Sequence, residues 1–236
     1  EYFIPSYMYE IFRQSILFLP LIMRKLLIIV LSLFPLIIIA QIKTGVRGGI
    51  NLANFVYRPA YDGDTKGAGS LLFRFNAGLQ LEVPLNDNDN WFLYTGSHYS
   101  GKGNRVRAKY RIPHFDTIVT YLNYIELPLQ AGYKFNTGNS NRLVAAGGPY
   151  IAYGFKGKQI TANSPNLTKR NLHRSDSYYK RFDWGFAVSG MIEHREKFGI
   201  RFDYSRSIAD ISRPSYKWKY TNNVFGFSFF WYLAQK

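Results

Sequence analysis

The chain has 236 residues, a formal net charge of +15 at pH 7, 18% aromatic residues and no cysteine. The absence of cysteine excludes disulfides, thiolate zinc sites and a lipid-modified cysteine. The strongly basic balance favours an anionic surface as a neighbour, and the length suits one folded domain after a targeting segment.

The first recognisable element is a targeting segment. Met23-Arg24-Lys25 is a basic start, residues 26–39 are almost wholly apolar, and Ala40 offers a small residue for cleavage. This layout predicts a signal peptide over 23–40. A transmembrane anchor is the alternative, but the apolar run is shorter than the ~20 residues a helical span needs. We expect residues 1–22 to be an upstream extension outside the mature protein, and the folded domain to occupy 41–236.

After this segment, apolar and polar residues alternate in stretch after stretch, which is the pattern of strands with one apolar and one polar face. The clearest example is Leu71 to Val83, where every odd position is apolar. Strands are predicted over 43–54, 71–83, 91–102, 118–135, 142–156, 180–193 and 198–205, with a last strand containing 225–233. Long loops are predicted at 55–69, 104–117, 157–178 and around 213–215, and short turns at 84–90, 136–139 and 195–197. Alternating long and short connections are typical of outer-membrane barrels. We therefore predict an all-β fold, a transmembrane up-and-down antiparallel β-barrel of about eight strands.

A water-soluble barrel would show the same alternation of apolar and polar residues, with its apolar face turned inward. Glycine recurs on the polar face, at positions 45, 49, 78, 132, 148, 154, 185 and 226. Glycine weakens a strand that faces water, but a narrow lumen crowded with long charged side chains needs small neighbours. The apolar face carries almost no charge and is rich in Phe, Tyr and Trp. We therefore predict that the apolar face meets lipid and that the polar face lines the lumen.

An eight-stranded barrel is only wide enough for its own side chains. Charges of both signs are predicted to face inward: Arg47, Arg74, Glu82, Glu126, Lys134, Asp183, Glu193, Arg201 and Asp203. An unpaired charge in a confined lumen is costly, so these groups are expected to pair across it. The hypothesis is a plugged lumen in which Arg47, Arg74 and Arg201 bridge Glu82, Glu126 and Asp203.

Several short motifs occur in order along the strands: Gly45-Val-Arg-Gly-Gly-Ile-Asn-Leu52, Ala77-Gly-Leu79, Val83-Pro-Leu85, Tyr99-Ser-Gly-Lys-Gly103, Leu122-Asn-Tyr-Ile-Glu-Leu-Pro-Leu129, Gly147-Gly-Pro-Tyr150 and Asn223-Val-Phe-Gly-Phe227. As an ordered set they resemble the PorT-like "porin family" outer-membrane β-barrel domain of Gram-negative bacteria. The resemblance implies an OmpA/OmpX-like barrel integral to the outer membrane, with both termini in the periplasm and long loops outside. It also implies, for some members, a link to protein secretion.

No motif indicates an enzyme active site, a cofactor-binding site or a metal site. Gly96 to Gly103 matches part of a phosphate-binding loop, but Lys102 is not followed by Ser or Thr and no helix follows. The histidines at 98, 114, 173 and 194 have no metal-ligand spacing. His114 and Asp116 are similar to the acid/base pair of a rim hydrolase, which stays open as a lesser alternative.

The basic residues suggest a partner. Arg105, Arg107, Lys109 and Arg111 alternate, so they lie on one face of a strand that continues beyond the bilayer. We interpret them as candidate anion-binding residues for lipopolysaccharide, against the alternative of a merely solvated surface. The expected protein is a monomeric, non-enzymatic outer-membrane barrel with lipopolysaccharide or secretion or envelope machinery as partner, and no nucleic acid. The alternative from another class is a small-solute channel.

Overall fold

The structure, a computed structural model, describes residues 42–59, 67–86, 88–109, 115–137, 140–162, 167–171, 179–212 and 218–234. The signal peptide expected at 23–40 and the upstream segment 1–22 lie outside these residues. The strands are β1 (Lys43–Pro59), β2 (Gly67–Ala68), β3 (Leu72–Pro84), β4 (Trp91–Lys109), β5 (Phe115–Asn136), β6 (Asn141–Ala162), β7 (Leu167–Asn171), β8 (Phe182–His194), β9 (Phe198–Ser207) and β10 (Trp218–Ala234). No helix in the described residues has both the length and the apolar character that a membrane-crossing helix requires.

Eight of the strands form a closed ring. β1, β3, β4, β5, β6, β8, β9 and β10 are neighbours in that order, each pair antiparallel, and β10 pairs again with β1. The closing seam extends from Thr44 opposite Ala234 to Pro59 opposite Trp218. β2 pairs with β1, and β7 pairs with β6, as short additions. Closure pairs every barrel strand on both sides, as a sheet in lipid requires, and pairing is interrupted between β3 and β4 beyond Asn76 and Ser100. The predicted up-and-down barrel of about eight strands is confirmed.

The two faces of the ring have opposite chemistry. On β8, Phe186 exposes 57% of its surface, whereas Asp183 and Glu193 expose 0% and 1%. β3 repeats this arrangement, with Phe75 exposed and Glu82 buried. A barrel in water would reverse the arrangement, because exposed rings and buried carboxylates both cost free energy there. The soluble-barrel alternative is therefore wrong, and the apolar face is the outer one.

Short turns and both ends of the barrel chain lie at one end of the ring, and the longer connections lie at the other. Aromatic rings cluster on the outer wall at the short-turn end: the centroids of Trp91 and Tyr133 are 4.9 Å apart, and those of Phe198 and Trp231 are 5.8 Å apart. Interfacial aromatic belts are typical of outer-membrane barrels. They account for part of the high aromatic content.

The strands are longer at the long-loop end than the alternation indicated. β1 continues to Pro59 and β6 to Ala162, and β5 already begins at Phe115, so the predicted loops at 55–69, 104–117 and 157–178 were too long. The backbone ladder continues beyond the point where the outer face stops being apolar, and apolar alternation cannot follow it there. The strand extension indicated by the alternating cations is confirmed as far as Lys109. Arg111 lies outside the described residues.

Candidate functional site: the charged lumen and the outer wall

Buried side chains fill the lumen in successive layers. At the short-turn end, Lys134 Nζ donates a hydrogen bond to Glu82 Oε1, and the Tyr232 hydroxyl donates to Glu82 Oε2 at 2.7 Å. Lys134 also lies 5.2 Å from the centroid of the Phe92 ring. Gly132 makes room for that ring, because a Cβ at this position would lie 2.2 Å from Phe92 Cζ. A lumen glycine is therefore the small neighbour that a bulky inward side chain needs.

The middle layer is centred on Asp203. Arg201 Nε donates to Asp203 Oδ1 at 2.7 Å, and Arg47 Nη2 lies 3.4 Å from Asp203 Oδ2. Arg201 also donates to Gln130 Oε1 at 2.8 Å and to Ser189 Oγ at 2.6 Å. Its guanidinium lies 3.9 Å from the centroid of the Tyr94 ring. A planar guanidinium suits this combination of a carboxylate, an amide, a hydroxyl and a ring face.

The layer nearer the long-loop end is centred on Lys102. Its Nζ lies 2.8 Å from Glu126 Oε2 and 3.1 Å from Asp183 Oδ2, and the side chain is fully buried. The rings of Tyr124 and Tyr150 lie 5.1 Å and 4.5 Å away, so two π faces complete the shell of the ammonium.

A cluster of apolar and aromatic side chains lies beyond Lys102, towards the long-loop end. Its buried members include Phe55, Leu122, Tyr179 and Ile211, with Tyr220 packed against them. The ring centroid of Phe55 is 5.6 Å from that of Tyr179. These residues cover the charged layers from the long-loop side.

The ion pairs differ from those predicted in their partners. Arg47 and Arg201 both meet Asp203. Glu82 and Glu126 bind lysines instead of arginines, Lys134 and Lys102. The tilt and stagger of the strands decide which inward residues share a level, and neither can be read from the alternation alone.

Arg74 does not lie where the sequence predicted it. Its guanidinium meets no carboxylate among the described residues. Nη2 donates to Asn123 Oδ1 at 2.6 Å and to the Tyr99 hydroxyl at 3.4 Å. Asn123 lies between the fully buried Leu122 and Tyr124, so its side chain is on the outer wall. The prediction that Arg74 belongs to the lumen network was therefore wrong.

The remaining sequence candidates fall in several places. Arg105 is exposed on β4, Arg107 and Lys109 lie on the same strand, and Arg111 is outside the described residues. The stretch that resembles a phosphate-binding loop is part of β4, and its Lys102 serves the buried ion pairs. His114 lies outside the described residues, and no metal-holding group of three or more His, Asp or Glu side chains occurs within them.

An ionic clamp closes the short-turn end. Glu196, in the turn between β8 and β9, accepts from Lys43 Nζ at 2.9 Å and lies 2.7 Å from Arg142 Nη2. Arg195 and Glu196 have φ values of 48° and 58°, a left-handed conformation that side chains other than glycine adopt at a cost. The two ion pairs offset that cost and tie the turn to the first residues of β1 and β6.

This clamp predicts an acid-sensitive component of stability. Burial acts to raise the pKa of Glu196, but the hydrogen bond and charge of Lys43, with the charge of Arg142, outweigh it and lower the pKa below its ordinary value of 4.5. A lowered carboxyl pKa contributes stability above the ordinary pKa, and that contribution is lost as the pH falls through the folded-state value. We expect the wild-type protein to lose its stability advantage over Glu196→Gln below about pH 4.5. Urea unfolding of both proteins in lipid vesicles from pH 7 to pH 3 measures this, with Arg195→Gln as the control in the same turn. Parallel curves for wild type and Glu196→Gln would contradict it.

Solved structures of small outer-membrane proteins match this chain at low sequence identity. Ail of Yersinia pestis matches at 14% identity, with 82% of this chain and all of that chain covered and a TM-score of 0.33. Neisserial surface protein A matches at 10% identity, covering 80% and 97% of the two chains, with a TM-score of 0.42. OprG of Pseudomonas aeruginosa matches at 13%, covering 82% and 97%, with a TM-score of 0.41. A search of curated proteins found no match.

A protein-family comparison covers most of the barrel. The model of the outer membrane protein beta-barrel domain matches residues 39–213. With the closed eight-stranded ring and its apolar outer wall, this places the protein in the outer membrane as an integral component. The chain belongs to the outer membrane protein beta-barrel domain family.

Proposed function

We propose that this protein is a non-enzymatic, monomeric scaffold of the outer membrane, with a sealed lumen and a basic extracellular face that binds lipopolysaccharide. The observation that carries the proposal is the separation of charge between lumen and exterior. Four buried cations (Arg47, Lys102, Lys134, Arg201) accompany five carboxylates in the lumen (Glu82, Glu126, Asp183, Glu193, Asp203), and the buried Lys43 binds Glu196 of the clamp. The inside therefore holds no excess of positive charge, and the excess positive charge of the protein lies elsewhere.

The exterior at the long-loop end supports the second half of the proposal. Short turns face the periplasm in such barrels, so the long-loop end is extracellular. Arg105, Lys156, Arg181 and Lys219 are exposed there. Among the residues whose side chains the structure describes, Asp210 is the carboxylate between β9 and β10 at this end, and its Oδ1 accepts from Ser212 Oγ and from the backbone N–H of Tyr220. Phosphate groups of lipopolysaccharide are the anionic partners available at this surface, and Arg and Lys bind phosphate well.

A PorT-like role beside secretion or envelope machinery is the finer form of this proposal. Its support is the resemblance itself, and three of the motifs that carry this resemblance converge on one cluster. Lys102 comes from the Tyr99–Gly103 motif, Tyr124 and Glu126 from the Leu122–Leu129 motif, and Tyr150 from the Gly147–Tyr150 motif. The motifs that carry the resemblance therefore build the interior of the barrel.

A conductance measurement tests the sealed lumen against the small-solute channel. We expect the folded wild-type protein in planar lipid bilayers to give no steady conductance steps, because Lys102, Arg201 and Lys134 each occupy the lumen at a different level with their partners. Protein that migrates as a folded band on an SDS gel until it is boiled provides the control for insertion. Large, steady single-channel steps from that material would favour the channel.

A further inference from the structure

The side chain of Arg74 passes from the lumen side of β3 to the outer wall. Arg74 is opposite Asn51 on β1, and Asn51 is buried in the lumen. Residues directly opposite each other share a face, so the alternation assigns Arg74 to the inside. Its guanidinium nevertheless contacts Asn123 and lies 5.0 Å from the Tyr121 ring centroid, both on the outer face of β5.

An opening in the wall permits this path. Regular pairing of β3 with β4 stops at Asn76 opposite Ser100, and beyond it only the isolated bridge between Ser70 and Arg105 joins the two segments. The two pairings differ in register by one residue, as in a β-bulge. Gly101 lies in the opening, where a Cβ would come within 3.1 Å of Arg74 Nε. Asn51 Nδ2 donates to the Gly101 carbonyl at 3.1 Å from the lumen side.

The charge of Arg74 has no counter-ion in the described residues. The ion pairs of the lumen form without it, and the outer wall offers it only neutral acceptors, Asn123 and Tyr99. The same two acceptors hold its orientation, because the Tyr99 hydroxyl donates to Asn123 Oδ1 at 2.7 Å and Asn123 Nδ2 donates to the carbonyl of Lys156 at 3.1 Å. A guanidinium fixed in this way has lost side-chain freedom before any ligand arrives.

Further cations surround Arg74 on the outer wall. Lys156 is opposite Asn123, and Lys158 is opposite Tyr121, so both lie on the same face as the guanidinium. We call Arg74, Lys156 and Lys158, with Tyr99 and Tyr121, the outer-wall site. Below it the outer wall is apolar, with Ile125, Leu127 and Ile151 exposed. The site therefore lies at the extracellular edge of the apolar band, at the depth of lipid headgroups.

We propose that the outer-wall site binds a phosphate group of an outer-leaflet lipopolysaccharide, whose acyl chains lie on the apolar wall beneath. This inference rests on the proposed function and assigns its lipid contact to the wall of β3–β6. The fork of Arg74 suits two phosphate oxygens, and the lysines add charge without demanding geometry. The tyrosine rings provide the amphipathic surface that headgroup-level contacts use.

Lipid binding to the purified, folded protein in zwitterionic detergent tests the proposal. Native mass spectrometry would follow a titration with diphosphoryl lipid A and, separately, with its dephosphorylated form. We expect Arg74→Gln combined with Lys156→Gln to weaken binding of the diphosphoryl form by about tenfold or more, since hydrogen bonds to charged groups are involved. Arg206→Gln is the matched control, because Arg206 is an exposed cation on the outer face of β9, opposite Phe186 of β8. It should change binding less than about twofold.

The outcomes separate this inference from the proposed function. If the wild-type protein shows no preference for the phosphorylated lipid, the proposed function itself fails. A preference that survives in the double variant, or that falls equally in Arg206→Gln, overturns only the outer-wall site. Displacement of the lipid by millimolar inorganic phosphate would make this a free-phosphate site and would also overturn the proposal. Should the Arg74 variant not reach the heat-modifiable folded form, Lys156→Gln with Lys158→Gln keeps Arg74 in place, and a several-fold loss is expected from it.

Discussion

Replacing Lys102 with methionine is expected to lower the free energy of unfolding by about 3–5 kcal/mol, the cost of leaving buried carboxylates without their cation. Lys102 is the one contact that Glu126 and Asp183 share, at 2.8 Å and 3.1 Å. Asp183 is fully buried and keeps only the hydroxyl of Ser207 and the amide of Asn222 when the ammonium is removed. Methionine nearly matches lysine in volume, so the loss would reflect charge rather than a cavity.

Urea unfolding in lipid vesicles, followed by tryptophan fluorescence and gel mobility, measures this loss. The control is the triple variant Lys102→Met, Glu126→Gln, Asp183→Asn, which removes both unpaired charges together with the cation. It should recover most of the stability, because replacing a whole buried ion cluster is far less costly than breaking it. A single variant within about 1 kcal/mol of the wild type would show that water reaches Asp183 and that the lumen is open at this level.

The fold was largely predictable, because its main determinant is local. On β3 and β8 the alternation of Phe with Asn, Gln, Glu or Asp specifies both the strand and its facing. The short turns were also predictable from their position between such strands. The strand ends at the long-loop side were not, because their pairing is held by the backbone ladder after the apolar alternation has ended.

The interior was predictable in composition but not in partners. Lys102 was missed as a lumen cation because its strand, from Tyr94 to Gly103, alternates Ser, Thr, Gly and His without an apolar face. The signal available was parity: Phe92, Tyr94, His98 and Lys102 all have even numbers and all are buried. Arg74 could not have been placed from its own strand, since its path depends on the register step between β3 and β4 and on Gly101. Such features depend on how two strands meet.

Cations in the lumen and cations on the outer wall should respond differently to mutation. Strand β9 carries one of each, which allows the comparison within one strand. Arg201 points inward and exposes 1% of its surface, whereas Arg206 is exposed on the outer face. We expect Arg201→Met to cost about 3 kcal/mol, because Asp203 would keep only the longer 3.4 Å contact with Arg47 and a hydroxyl from Ser189.

Arg206→Met is expected to lie within about 1 kcal/mol of the wild type, or to stabilise the barrel slightly, since a charge on the lipid face near the interface is neutral to mildly unfavourable. Both variants exchange the same residue types on the same strand, so strand propensity cannot account for a difference between them. Unfolding free energies in vesicles of one lipid composition measure the pair. Equal costs at the two positions would mean that β9 does not separate a dry, ion-paired lumen from a lipid-facing wall. In that case the assignment of inside and outside, on which the sealed lumen and the outer-wall site both depend, would be wrong.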